Sequence, residues 1–352
     1  MSVARFVHDT LPQRVRFASG EAAGQLAEEI KELGVSRLMV VAARKWLAEQ
    51  VAGGLPVAVW HHDVVMHVPV ETAVRAREVA AEHDVDALVC IGGGSATGLA
   101  KAVALTTGLP IVAVPTTYAG SEATNVWGIT EEGRKTTGVD DRVLPRTVVY
   151  DASLTRTLPV GMSVASGLNA LAHCVDSMWA PRADPIDAAL AEEGIRALNA
   201  GLPQVFADPV GLAGREQTLY GAYLSAVAFA SAGSGLHHKI CHVLGGMFDL
   251  PHAQTHAIVL PHVLAFNGPD APEAERRIAA AFGAPSANEG LAALRSEVDA
   301  PVALRDYAMP EHGIETAAGA VLAAVPAGNP APVTLVSLTA LLRAAWEGDL
   351  PR

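Results

Sequence analysis

Residues 87–101 read Ala87-Leu-Val-Cys-Ile-Gly92-Gly93-Gly94-Ser95-Ala-Thr97-Gly98-Leu-Ala-Lys101. A short unbroken apolar run enters three glycines and leaves as a small-residue helical pattern. That is how a strand buried on both faces turns into a helix. Glycines let the backbone pass close to a bulky anion, and free N–H groups at a helix start favour phosphate. Ser95 is expected to cap that helix and donate to a phosphate oxygen. On its own the stretch is equally a tight turn without a ligand, and it is not the G-x-G-x-x-G fingerprint.

Outward from this turn the same alternation continues. Strands are expected at 14–20, Arg37–Ala42, Val57–His61, Ala87–Ile91, Ile111–Val114 and Val148–Tyr150, with helices over Glu21–Leu33 and Glu71–Asp84. Short strands separated by helices read as βαβ units and a mainly parallel sheet. After Asp151 strand-like runs become rare and long Ala/Leu-rich amphipathic segments take over. The expected organisation is an α/β dinucleotide-binding domain over residues 1–155 and an all-helical substrate-binding domain over 156–352, with the site in the cleft between them.

A second polar segment, Pro115-Thr116-Thr117-Tyr118-Ala119-Gly120-Ser121-Glu122, follows the next strand. Open α/β sheets place ligands at the carboxyl ends of their strands. Gly93, Gly94 and Ser95 are therefore expected at the pyrophosphate, with Thr116 and Thr117 toward the nicotinamide; Ser121 and Lys135 complete the expected contacts. At the end of the second strand Arg44 stands where an acid would grip the ribose hydroxyls, and it suits a 2′-phosphate. Use of both NADH and NADPH is expected.

The helical half carries Asn169-Ala-Leu-Ala-His173, then His237-His238-Lys239-Ile-Cys-His242, then Pro251-His252. Asn169 and His173 share a helical face, as do His238 and His242. A lone histidine is usually an ordinary residue, but several converging in one helical domain mark a site. An Asp at 169 would complete a set suited to Fe²⁺ or Zn²⁺. Asn removes the one anionic ligand, so no metal is expected.

The bulk properties set limits. The chain has 352 residues, half of them hydrophobic, and a formal net charge of −12. Nothing in that balance attracts nucleic acid or an anionic membrane. The three cysteines form no CxxC pair, so neither a disulfide framework nor a thiolate zinc site is indicated. With neither a signal-like N-terminus nor a long apolar span, a cytoplasmic protein is expected.

These segments together resemble the iron-containing alcohol dehydrogenase family over nearly the whole chain, sharing its dehydroquinate synthase-like fold. The glycine motif, the Pro-Thr-Thr segment and His173, His238 and His252 match its pattern in order, and His242 matches a further histidine near nicotinamide and substrate. Two departures stand out: Gly98 replaces an acid of the glycine-motif helix, and Asn169 replaces the metal-binding Asp. Both, with Met66-His67-Val68-Pro69, Tyr118–Glu122, Trp127–Thr130 and Gly167–Cys174, resemble the branch that reduces maleylacetate to 3-oxoadipate in aromatic degradation. The resemblance implies a homodimer using NADH or NADPH.

That chemistry tolerates the loss of a metal. Hydride delivered to C2 of a 4-oxo-2-enedioate leaves an enolate on C4, which hydrogen bonds stabilise, and C3 then takes a proton. His173, His238, His242 and His252, with Lys239, are expected as the cationic donors for a dicarboxylate. His238 or His242 is the expected proton donor, and Asn169, Lys239 and Tyr118 are expected at the substrate. Three rivals remain: a metal-dependent alcohol or polyol dehydrogenase, a lyase of dehydroquinate synthase type, and a non-catalytic nucleotide binder.

Overall fold

The computed structural model describes residues 5–8, 10–132 and 134–351, the side chains of Arg134 and Lys135 excepted. The chain divides into two compact units, Leu11–Leu158 and Pro159–Arg352, the latter joined by the described residues of Met1–Thr10. The expected first domain began at residue 1. The segment before Leu11 instead goes with the helices, where the His8 imidazole meets Asp184 at 2.8 Å.

Along the first unit run β1 (Arg14–Phe17), α1 (Ala22–Leu33), β2 (Leu38–Val41), α2 (Lys45–Ala52), β3 (Val57–His61), α3 (Val70–Glu82), β4 (Ala87–Gly92), α4 (Gly94–Thr107) and β5 (Ile111–Pro115). They are followed by β6 (Val126–Glu131), β7 (Arg134–Val139) and β8 (Thr147–Tyr150). Six strands form one sheet in the order β1-β8-β5-β4-β2-β3, and every pairing in it is parallel.

Burial on both faces follows the two-residue period of a strand. Leu38 and Val40 of β2 and Ala87, Val89 and Ile91 of β4 pack with Leu26 and Ile30 of α1 and Leu47 and Val51 of α2. Their neighbours Met39, Val41, Leu88 and Cys90 point the other way, onto Ala73, Ala76 and Ala80 of α3 and Leu99 and Val103 of α4. The result is three layers, with strands that read as continuous apolar runs because neither face meets water.

From β2 the chain moves outward to β3, then returns to β4 on the opposite side of β2 and proceeds through β5 and β8. The direction of winding thus reverses between β2 and β4, the position where such sheets bind ligands at the strands' carboxyl ends. The glycine turn closes β4 and Arg44 follows β2, so both flank that reversal. Strands β6 and β7 pair antiparallel as a separate hairpin. Their polar, glycine-containing sequences carry no apolar run, which is why periodicity does not reveal them.

The second unit consists of α5 (Val160–Ser177), α6 (Pro185–Ala207), α7 (Leu212–Ala232), α8 (Leu236–Phe248), α9 (His252–Asn267), α10 (Pro272–Phe282), α11 (Ala287–Glu297), α12 (Ile314–Leu322) and α13 (Leu335–Glu347). Helix α5 is the centre, packing on α6, α7 and α9 and buried from Ser163 through Ser177. A second core joins α8 and α9 to α12 and α13 through Ile240, Leu244, Val259, Val263, Val321, Leu338 and Leu342. Among the described residues no helix is long and apolar enough to cross a membrane.

Candidate active site

In the α/β unit the two polar segments touch. The Thr116 amide donates to the Gly92 carbonyl at 2.9 Å. A Cβ on Gly93 would stand 2.8 Å from Thr117 Cγ2. Only a residue without a side chain fits there, so the glycine turn and the Thr116–Thr117 segment form one backbone surface. Its residues fit a dinucleotide pyrophosphate: Gly93 and Gly94 begin α4, whose first amides lack carbonyl partners within the helix. Ser95 does not cap the helix as expected. The N-cap is Gly93 and no side chain caps it, because α4 already begins at Gly94. Ser95 sits in the first turn, still within reach of an anion there.

The Gly98 departure has a packing reason. A Cβ at 98 would meet Val68 Cγ2 at 2.9 Å. Val68 and His67 both have left-handed backbones (φ 50° and 64°), unusual for a β-branched residue. Thr130 holds them, its hydroxyl donating to the His67 carbonyl at 2.8 Å and its amide to the Val68 carbonyl at 3.0 Å.

Lys101, three residues further along α4, is fully buried. Its ammonium donates to the carbonyls of Ser121 (2.6 Å), Thr124 (2.7 Å) and Val126 (2.8 Å) and to Thr124 Oγ1 (3.1 Å). It thereby ties the glycine-turn helix to the Ser121 segment, a role no sequence pattern disclosed. Tyr118 is fully buried. Arg44 is exposed and donates to Thr157 Oγ1 at 2.7 Å, and the Lys135 side chain lies outside the described residues.

In the helical unit the predicted residues converge, with others among them. Asn169, His173 and Asp176 line one face of α5. Helix α8 brings His237, His238 and His242, and α9 brings His252 and His256. His173 stacks on His238 (ring centroids 4.9 Å apart, 16° between planes), and Phe229 packs against both at 4.8 and 4.3 Å. His238 is 6.1 Å from His242 and 4.8 Å from His256, and His252 is 4.3 Å from His256. Lys239 is half-buried next to His238, with no hydrogen bond or ion pair joining its ammonium to the cluster.

Two contacts order these rings. Asp176 Oδ2 lies 2.7 Å from His238 Nδ1 and accepts from the Gly235 amide at 3.0 Å. His237 Nε2 lies 3.0 Å from His256 Nδ1. What remains is a set of buried polar atoms without hydrogen-bond partners: Asn169 Oδ1, His173 Nδ1, His237 Nδ1, His238 Nε2 and His256 Nε2. Leaving such groups unmet costs about 1–3 kcal/mol each, so their concentration in one place marks a polar ligand site.

Burial also sets the charge. Desolvation lowers His173 to about 4 and His237 to about 3. It holds His238 and His256 well below the usual imidazole range, with neighbouring rings adding to the effect. Burial pushes the Asp176 carboxyl up to about 7, opposed by backbone N–H groups of His238 and Gly235. Burial therefore works against the expectation that His173 and His238 supply cationic donors: it disfavours the charged form of both rings, and packed, desolvated imidazoles oppose one another's protonation.

A divalent metal fits this donor set poorly. Asn169, His173, His238 and His252 are all uncharged ligands; the one carboxylate nearby, Asp176, has Oδ2 committed to His238 Nδ1 and the Gly235 and His238 amides, while its buried Oδ1 makes no hydrogen bond. Among the described residues the metal-capable groups of His, Cys, Asp and Glu are His237–Cys241–His256 and His8–Asp184–Asp187, and neither is the His173–His238–His252 set. In the first of these, burial raises the Cys241 thiol well above its ordinary value, and the two imidazoles already bond one another.

One unit holds a parallel sheet with a glycine turn at its winding reversal and the other a helical fold with a histidine cluster, and together these define a dehydrogenase-like class. The chain belongs to the iron-containing alcohol dehydrogenase family: residues 12–152 match the iron-containing alcohol dehydrogenase model and 163–346 the Fe-containing alcohol dehydrogenase family, C-terminal. Within that family it is similar to the maleylacetate reductase of Sphingobium indicum, 46% identical over 99% of both chains. Its fold is similar to the maleylacetate reductase of Agrobacterium tumefaciens, 40% identical, TM-score 0.93, covering 99% of this chain and 100% of that one. It is also similar to an iron-containing alcohol dehydrogenase from Corynebacterium glutamicum, 61% identical, TM-score 0.97, covering 99% and 98%.

Proposed function

We propose that this chain reduces the C=C bond of maleylacetate with NADH or NADPH, giving 3-oxoadipate, and that it does so without a metal. The observation that carries this reading is the cluster of unmet buried polar atoms on an uncharged donor set. That set accepts hydrogen bonds and protons, and the position facing His173 on α5 is the neutral Asn169; the nearby carboxylate, Asp176, is held through Oδ2 by His238. The identity of relatives along the whole chain supports the substrate.

The reduced nicotinamide supplies the hydride that C2 receives. Gly93, Gly94 and the Thr116–Thr117 segment hold the dinucleotide, and Lys101 keeps the Ser121 segment against the glycine-turn helix. Asn169 and His173 fix the substrate's oxygens. The Asp176–His238 pair can sit with its proton on Asp176, donating to His238 Nδ1, so that Nε2–H faces the pocket and stabilises the C4 enolate oxygen. Passing that Nε2 proton to C3 while Asp176 reprotonates Nδ1 completes the addition, leaving Asp176 ionised. His242 is the other candidate donor. The substrate's two carboxylates raise the pKa of every imidazole near them, so charge arrives with the ligand. A cytoplasmic homodimer is part of the proposal.

The test is NADH absorbance with freshly generated maleylacetate, with and without EDTA. Turnover that ignores the chelator supports the reading. Turnover abolished by chelator and restored by Fe²⁺ or Zn²⁺ returns the chain to the metal-dependent dehydrogenases.

A further inference from the structure

Away from the histidine cluster, the N-terminus of α6 carries a second group of metal-ligating side chains. Asp184 is the N-cap, its Oδ1 accepting from the amides of Ile186 (2.7 Å) and Asp187 (3.0 Å). Its other oxygen, Oδ2, lies 2.8 Å from His8 Nδ1, and Asp187 Oδ1 lies 3.6 Å from the same nitrogen. Ser231 Oγ is 3.2 Å from it. The side chains of Asp184 and Asp187 are 1% and 0% exposed and that of His8 12%.

Asp187 is the unexplained member. It is fully buried, yet neither carboxylate oxygen makes a hydrogen bond of ordinary geometry, with only the Ser231 hydroxyl and the His8 ring near it. A second carboxylate stands beside it. Two buried acids with one shared imidazole are an unfavourable arrangement unless a cation completes it. Ligands around a tetrahedral Zn²⁺ at about 2.0–2.1 Å lie roughly 3.3 Å apart, and the 2.8 and 3.6 Å separations found here bracket that spacing.

We propose that His8 Nδ1, Asp184 Oδ2 and Asp187 Oδ1 form a divalent-cation site, with Ser231 Oγ or water as a further ligand. One imidazole and two carboxylates suit Zn²⁺, Co²⁺ or Mn²⁺, and the two negative charges match the ion's two positive ones. The histidine cluster offers no such balance. The bound ion clamps the segment around His8 to the start of α6.

The experiment uses the full chain, stripped with EDTA, dialysed and titrated with Co²⁺. One equivalent with visible ligand-field bands and no near-ultraviolet thiolate charge-transfer band is expected. Zn²⁺ should displace it and raise Tm by roughly 3–5 °C at about a hundredfold over Kd. His8→Ala and Asp187→Asn should each weaken binding more than roughly tenfold, since losing even an outer supporting partner costs a metal site that much. Both should abolish the Zn²⁺-dependent Tm shift while His8→Ala keeps full reductase activity. Absence of the bands, a thiolate band that persists in His8→Ala and so places the ion at Cys241, or an Asp187→Asn variant that is simply more stable with Zn²⁺ inert would each overturn the proposal.

Discussion

Asp176 and His238 are joined by a 2.7 Å contact between Oδ2 and Nδ1, which leaves the opposite nitrogen, His238 Nε2, buried and unmet. The ring's second nitrogen is thus committed to the pocket. Which tautomer faces the substrate depends on where the Asp176 proton resides.

Asp176→Asn separates these states. Asparagine keeps the shape but cannot deliver an acidic proton to Nδ1. We expect kcat for maleylacetate to fall by about 10²–10⁴-fold, the usual range for losing general acid catalysis, with KM for NADH unchanged. A variant that retains kcat would remove Asp176 from the proton path.

Asn169→Asp puts back the anionic ligand. The new carboxylate would repel a dianionic substrate and favour protonated neighbours or a bound cation. Reduction of maleylacetate should drop roughly tenfold or more in kcat/KM, and metal content by mass spectrometry after Zn²⁺ exposure should rise. Unchanged kinetics together with no metal uptake count against the pocket as described.

Lys101→Met tests the tie between the glycine-turn helix and the Ser121 segment. It would remove the donor shared by three carbonyls and Thr124 Oγ1, of which the Ser121 carbonyl and Thr124 Oγ1 keep weaker local donors. A loss of about 3 kcal/mol in unfolding free energy is expected, with a raised KM for NADH and a smaller change in kcat. Equal stability of variant and parent, by urea denaturation, would show the ammonium to be dispensable.

Stability should fall as pH drops from about 6.5 toward 4. His173, His237, His238 and His256 have folded pKa values below the unfolded one. The unfolded chain therefore binds their protons first, and the stability present above the unfolded pKa is lost through this window. Asp176 and Asp187, raised by burial, act in the opposite sense. His61 and His262, also lowered by burial, add to the fall, and Glu122, raised by burial, opposes it; the imidazoles outnumber the carboxylates, so the net slope keeps their sign. Urea midpoints at about pH 7 and pH 5, measured with chelator present, should decrease; a flat or rising profile would mean the imidazoles are not desolvated in solution.

The sheet was legible because its strands are buried on both faces, so apolar runs such as Leu88–Ile91 stand out against the helices. The hairpin β6–β7 was not, since Trp127-Gly128-Ile129-Thr130 and its partner strand lie outside that sheet and lack its pattern. In the site, Asn169, His173, His238, His242 and His252 were readable from helical spacing. His256 was reachable too, four residues beyond His252, but Asp176 was not: nothing in Cys174-Val175-Asp176 announces that α5 turns this carboxyl toward α8. Nor does spacing report charge. The expectation of cationic histidines runs against the burial of these rings, because protonation depends on how many of them share one dry volume, which only the packing discloses.

The contact between Val68 and the bare Cα of Gly98 bears on how this chain could change. Restoring an acid at 98 in a single step would drive its Cβ into Val68 Cγ2, and Val68 cannot swing aside while Thr130 pins its left-handed turn. A viable route back has an order: residue 68 must shrink first, in a background where that loss of packing brings no benefit. In this chain the bare Cα at 98 and the pinned side chain at 68 are therefore one coupled pair, and neither position can be altered alone without cost.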